Sequence, residues 1–62
     1  MEFNVNITCD SDAFDPDGDG MATAEEITRI LSVVKSKLMD GDREGTLRDY
    51  NGNTVGSFSL SQ

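Results

Sequence analysis

The sequence predicts an α+β fold, β-α-β-β, with one helix packed on one face of a three-stranded, mostly antiparallel sheet. Three observations predict it. Apolar and polar residues alternate over 2–9, an apolar stripe recurs with helical spacing over 24–40, and an Asn-Gly pair divides two short alternating segments over 45–60. At 62 residues the chain is a single small domain, 1–62. Its core must be small and its net stability only a few kcal/mol.

Over residues 2–9, Phe3, Val5, Ile7 and Cys9 fall on one face and Asn4, Asn6 and Thr8 on the other. Period two with β-branched residues predicts a half-buried strand. Cys9 continues the buried face as a small apolar residue, with no basic neighbour in sequence to activate a thiolate.

Residues 10–22 hold the only proline and are rich in Asp and Gly, which predicts a loop. A helix follows over 24–40. Ile27, Ile30, Leu31, Val34 and Leu38 form one stripe at i, i+3, i+4, i+7 and i+11. Thr23 and Glu26 have the spacing of a capping box. Glu25 and Glu26 sit toward the positive end of the helix dipole, Lys35 and Lys37 toward the negative end. Gly41 is the expected left-handed stop.

Residues 47–50 and 55–60 flank Asn51-Gly52, which suits a type I′ turn with positive φ at both central residues. That turn pairs Tyr50 with Asn53, Asp49 with Thr54 and Leu47 with Gly56. Gly56 then leaves room for the helix to sit close. Arg48, Tyr50, Val55 and Ser57 occupy the polar face. The expected core is Phe3, Val5, Ile7, Cys9, Phe14, Ile27, Ile30, Leu31, Val34, Leu38, Leu47, Phe58 and Leu60. Strand order 1-3-2 makes every pairing antiparallel; the alternative sets the second strand beside the first, in parallel.

Charge is distributed unevenly. Residues 1–26 carry eight acidic side chains and no basic one, whereas residues 27–62 carry four acidic and five basic, within a net charge of −7. That balance argues against direct binding of nucleic acid or an anionic membrane. The acidic front invites neutralisation by a cation or a basic partner; it also reads as a solvated loop. With no histidine and one cysteine, a His-based metal site, an internal disulfide and imidazole catalysis are excluded. A one-helix, three-strand domain offers little concavity for a substrate, so no enzyme is expected. Residues 1–9 do not read as a basic-then-apolar leader, and no apolar run approaches the ~20 residues of a membrane span, so neither a targeting segment nor a membrane span is expected. The host-cell cytoplasm is the expected location.

The sharpest motif is Asp15-Pro-Asp17-Gly-Asp19-Gly20-Met-Ala-Thr-Ala-Glu-Glu26, which fits D-x-D-x-D-G-x5-E. It resembles the EF-hand calcium loop. Alternating carboxylates wrap one hard cation, the glycine turns the chain, and the last glutamate closes bidentately. The resemblance implies Asp15, Asp17, Asp19, the Met21 carbonyl, Thr23 and Glu26 as ligands. A strand rather than a helix enters this loop, Ala22 replaces the usual branched residue, and no second loop pairs with it. An unpaired loop implies weak affinity, ~10⁻⁴–10⁻³ M. No cofactor is otherwise expected. The bland alternative is an acid-rich linker in which Glu26 serves only as a cap.

Three fragments together resemble a group of small bacteriophage- and prophage-encoded proteins of unknown role. They are residues 9–14 (C-D-S-D-A-F), residues 26–31 (E-I-T-R-I-L) and residues 45–56 (G-T-L-R-D-Y-N-G-N-T-V-G). They are similar to that group's D-N-x-A-F, E-x-A-R-I-L and G-x-L-x-D-x-N-G-N-x-V-G, with Ser11 and Thr28 departing. The resemblance spans about residues 3–60. It implies a phage-type accessory protein, in the manner of acidic anti-restriction and anti-CRISPR inhibitors whose carboxylates imitate phosphates. The implied partner is a host protein with a basic nucleic-acid-binding groove, met by Asp10, Asp12, Asp15, Asp17, Asp19, Glu25 and Tyr50. Residues 49–53 read either as a turn or as a contact tip built on Tyr50. The chain itself is expected as a monomer or a weak homodimer through an open sheet edge.

Overall fold

The computed structural model describes residues 1–10, 13–14 and 21–62. Four elements follow one another: β1 (Glu2–Ile7), α1 (Met21–Met39), β2 (Glu44–Arg48) and β3 (Thr54–Ser61). The sheet order is β1-β3-β2 and both pairings are antiparallel. The α+β class and the favoured strand order are therefore those of the sequence reading, and the parallel alternative does not occur. The long connection through α1 carries the chain across the sheet, so that the last strand inserts between the first two.

Pairing β1 with β3 sets Phe3 opposite Leu60, Val5 opposite Phe58 and Ile7 opposite Gly56. These residues share the helix-facing side with Leu47. Phe3 and Phe58 make a tilted aromatic pair with centroids 6.4 Å apart, a favourable ring geometry. The buried cluster is Ala13, Phe14, Ile30, Val34, Leu47 and Phe58, with Val5, Ile7, Cys9, Ile27, Leu38 and Val55 packed around it. Phe14 is fully enclosed.

Three expected core residues are not in that cluster. Phe3 is 44% exposed, Leu31 is 46% exposed and Leu60 is half-buried. The helix accounts for Leu31. Its buried line runs Glu26, Ile30, Val34, rotated away from Leu31. That rotation points Glu26 at the β2–β3 hairpin, where its carboxylate has partners 24 residues away in sequence.

The helix also opens earlier than expected, at Met21 rather than after Thr23. The capping box does not form. The Thr23 hydroxyl donates to the Phe14 carbonyl, tying the buried Phe14 turn to the start of α1, and the Glu26 carboxylate reaches the hairpin instead. The other end behaves as expected. Gly41 has φ of +96°. Its amide donates to the Leu38 carbonyl at 3.0 Å, and the Asp42 amide donates to the Lys37 carbonyl at 2.9 Å. These are the two hydrogen bonds of a Schellman motif. A side chain at Gly41 meets nothing within 4 Å, so a substitution there costs only backbone strain. Gly41→Ala should destabilise by about 1 kcal/mol and Gly41→Asn by less. In a domain this small that lowers the melting midpoint by about 4–8 °C for Ala, readable by circular dichroism.

The hairpin turn is not type I′. Gly52 has φ of +88°, but no non-glycine residue described has positive φ, which removes Asn51 from that conformation. The Gly52 amide donates to the Asp49 carbonyl at 3.0 Å, and the Asp49 amide donates to the Asn53 carbonyl at 2.9 Å. This is a type I turn over Tyr50 and Asn51, closed by a left-handed glycine. The three-residue loop pairs Asp49 with Asn53 and Arg48 with Thr54, replacing the expected Tyr50–Asn53 and Asp49–Thr54 pairs. A register shift between Leu47 and Arg48 then absorbs Val55 and restores Leu47 opposite Gly56. The extra residue joins the core margin rather than the polar face.

Gly56 is needed for a different neighbour from the one expected. A Cβ there would lie 1.8 Å from the Asn6 carbonyl oxygen. The close approach is from the β1 backbone, not from the helix.

Candidate functional site

One end of the sheet gathers the chemistry. The Thr8 amide donates to the Val55 carbonyl at 2.7 Å, which sets the outgoing end of β1 beside the hairpin. The Tyr50 amide donates to Glu26 Oε2 at 2.8 Å, which sets the opening turns of α1 beside the hairpin tip. Asp10, exposed just after β1, Glu25, exposed on α1, and Tyr50, 61% exposed at the tip, therefore share this end. Glu25 and Tyr50 line one cleft of about 330 Å³ with Ala13, Ala22, Glu26 and Arg29. Arg29 and Tyr50 also line a second groove of about 550 Å³ along α1 and β2, together with Val33, Lys37 and Arg48. They form the ridge between the two.

Asp12, Asp15, Asp17 and Asp19 lie outside the described residues. So does most of the calcium-type loop. Of its implied ligands, Met21 opens the helix, Thr23 is hydrogen-bonded to Phe14, and Glu26 is engaged at both oxygens. Among the described residues no group of three Cys, Asp or Glu side chains is placed to hold a metal ion.

Glu26 is the structural centre of this end. It is only 5% exposed. Arg29, one turn along α1, donates through Nε to Oε1 at 2.6 Å and through Nη2 to Oε2 at 3.0 Å. Arg29 Nη2 also donates to the Arg48 carbonyl at 3.0 Å. The carboxyl pKa is held below its ordinary value of 4.5. The Arg29 hydrogen bond is the main cause; burial opposes it, and the Tyr50 amide adds to the lowering. The same pairing raises the Arg29 pKa. Helix and hairpin are thus joined by a fork of charge-assisted bonds.

Asp49 orders the tip itself. It is 4% exposed. Its Oδ1 accepts from the Asn51 and Asn53 amides at 3.0 and 2.9 Å, and its Oδ2 accepts from Asn53 Nδ2 at 3.2 Å. A carboxylate satisfied this way fixes the turn and presents Tyr50 outward. The turn reading of residues 49–53 and the exposed Tyr50 tip therefore coexist.

Two residues important here were not singled out as site residues from sequence: Arg29 and Asp49. The i, i+3 spacing of Glu26 and Arg29 was a visible signal for the ion pair. Its burial was not visible, because the covering hairpin is remote in sequence. No helix of the described residues is long and apolar enough to cross a membrane. Comparison of the chain with protein-family models, with curated proteins and with solved structures gives no match.

Proposed function

We propose that this chain is a non-catalytic, acidic protein-binding module of phage type. Its acidic front occupies a basic nucleic-acid-binding groove on a host protein and inhibits nucleic-acid-directed defence. The observation that carries the reading is the segregation of charge: eight acidic and no basic side chains before residue 27. The placement of Asp10, Glu25 and Tyr50 at one end of the sheet supports it, because the same end receives the ends of the acidic segment. Carboxylates concentrated in one segment of a chain steer toward a positive groove and compete with phosphates there. Tyr50 adds an aromatic anchor beside them.

The test is capture from host lysate with the tagged chain, followed by competition with labelled duplex DNA on the purified captured protein. The expected partner is a nuclease, helicase or other effector with a basic channel. The chain should displace the DNA, and retention should fall at least tenfold between about 50 and 300 mM salt. A variant with Asp10, Asp12, Asp15, Asp17 and Asp19 all changed to Asn should lose the competition. Undiminished competition by that variant overturns the reading.

A second reading, a calcium-binding module, rests on the loop string ending at Glu26. Bidentate closure by Glu26 requires it to release both Arg29 and the Tyr50 amide, which weakens any binding by the cost of those bonds. A melting curve in millimolar calcium against chelator separates the readings. A midpoint that rises with calcium and ceases to rise in Asp15→Ala supports the metal module.

A further inference from the structure

Among the described residues, β1 and β2 are the two outer strands of the sheet, and they differ in how they meet solvent. On β2, the free edge carries Glu44 and Arg48, contains Gly45 and includes a register shift against β3. Charge and irregularity of this kind discourage pairing with another chain. On β1, residues 3–7 read Phe-Asn-Val-Asn-Ile, with no charge, proline, glycine or bulge. Phe3 there is also half-exposed beside the sheet core.

The backbone of β1 is set up for a further partner. The Thr8 amide is bonded to β3. Antiparallel alternation then directs the amides and carbonyls of Asn6 and Asn4 toward β3 and those of Phe3, Val5 and Ile7 outward. Outward groups at 3, 5 and 7 are self-complementary about Val5. In an antiparallel pair centred there, Val5 faces its own copy and Phe3 faces Ile7 of the other chain.

We infer that β1 is a self-association edge through which two copies of this chain pair antiparallel about Val5. The product is a six-stranded sheet with both helices on one face. The half-exposed Phe3 of each copy gains the neighbouring Ile7, and the two apolar faces become continuous. Charge selects this edge for a molecule of net charge −7. The uncharged window lets the copies meet, and each Glu2 lies opposite Thr8, about 20 Å from the other Glu2 at ~3.3 Å per residue. That separation exceeds the screening length of about 10 Å in 0.1 M salt. A strand-pair contact of this length sits at the small end of specific interfaces, on the order of 1,000 Å² in total, so association is expected at micromolar concentrations and above.

Sedimentation velocity from about 1 µM to 1 mM, together with amide exchange, tests this. Wild type should pass from monomer mass to dimer mass. The Val5 amide should slow at least tenfold across the same range while the Thr46 amide on β2 does not. Val5→Pro removes an outward amide and leaves the bonds to β3 in place, so it should stay folded and monomeric. Phe3→Lys, at a half-exposed position, provides a second monomeric variant. Monomer mass for wild type at 1 mM, concentration-dependent protection on β2 instead of β1, or a folded Val5→Pro or Phe3→Lys protein that still dimerises overturns the inference.

Discussion

Replacing Glu26 with Ala is expected to lower the melting midpoint by about 10–20 °C. The carboxylate holds the Tyr50 amide at 2.8 Å and the Arg29 guanidinium at 2.6 and 3.0 Å. Leaving the amide without its acceptor costs about 1–3 kcal/mol. The ion pair adds less than about 1 kcal/mol, because the Arg29 side chain is 43% exposed and solvent can take it over. About 2–3 kcal/mol in total is a large share of what a 62-residue domain possesses, and each kcal/mol moves the midpoint by about 4–8 °C. Glu26→Gln keeps an acceptor for Tyr50 and should lose less. The pair also predicts a pH signature. With its folded pKa held below 4.5, Glu26 contributes fully above that value, and the contribution is lost as pH falls through the lower folded value. Between pH 6 and 3 the wild-type midpoint should therefore drop more steeply than that of Glu26→Gln. An Ala variant melting within about 2 °C of wild type would remove Glu26 as the link between helix and hairpin.

Gly56→Ala is expected to abolish the folded state at room temperature. The added methyl would stand 1.8 Å from the Asn6 carbonyl oxygen and 2.8 Å from its carbon. Both are backbone atoms of the neighbouring strand, so no rotamer change relieves the overlap. β1 must move away from β3 by more than 1 Å, which breaks hydrogen bonds on both sides of the contact. A penalty above about 3 kcal/mol follows. Gly45→Ala is the informative contrast. Its methyl would meet the Phe58 ring edge at 2.9 Å, and a ring can tilt, so about 1–2 kcal/mol is expected. Chemical denaturation separates the cases: Gly45→Ala should keep a cooperative transition at a lowered midpoint and Gly56→Ala should show none, and a Gly56→Ala transition at the Gly45→Ala midpoint would show that β1 yields as easily as a side chain.

Much of the fold was legible because its signals are local. The alternation of residues 2–9, realised as β1 up to Ile7, the apolar period of the helix, realised apart from Leu31, and the glycine stop at 41 each depend on neighbours within a few positions. The departures have two causes, one long-range and one local. The rotation of α1 that exposes Leu31 follows from the bond between Glu26 and Tyr50, which joins residues 24 apart and leaves no periodic trace. The turn differs from the expected one because residues 49–53 satisfy two overlapping templates, type I′ over 50–53 and type I over 49–52. Asn-Gly at the centre favours type I′, while Asp at the first position and Gly at the fourth favour type I. The buried Asp49, accepting from the Asn51 and Asn53 amides, selects the second. Val55 shifted face because a loop one residue longer requires a compensating bulge. Of the site, the charge segregation and the exposed Tyr50 were legible. The Glu26–Arg29 fork was not, since an i, i+3 pair looks the same in sequence whether it is solvated or covered.

The place of β3 has a consequence for how the molecule comes into being on the ribosome. It is the central strand, yet it is the last of the four elements to be translated. Until it emerges, β1 and β2 have no neighbour and α1 has no sheet to cover. Nothing nativelike can accumulate during synthesis, because joining β1 to β3 closes a loop of about 50 residues whose entropy is repaid only when the sheet is complete. Folding is thereby deferred to a single late event in which nucleation and completion nearly coincide. A nascent chain stopped before residue 54 should therefore lack the sheet.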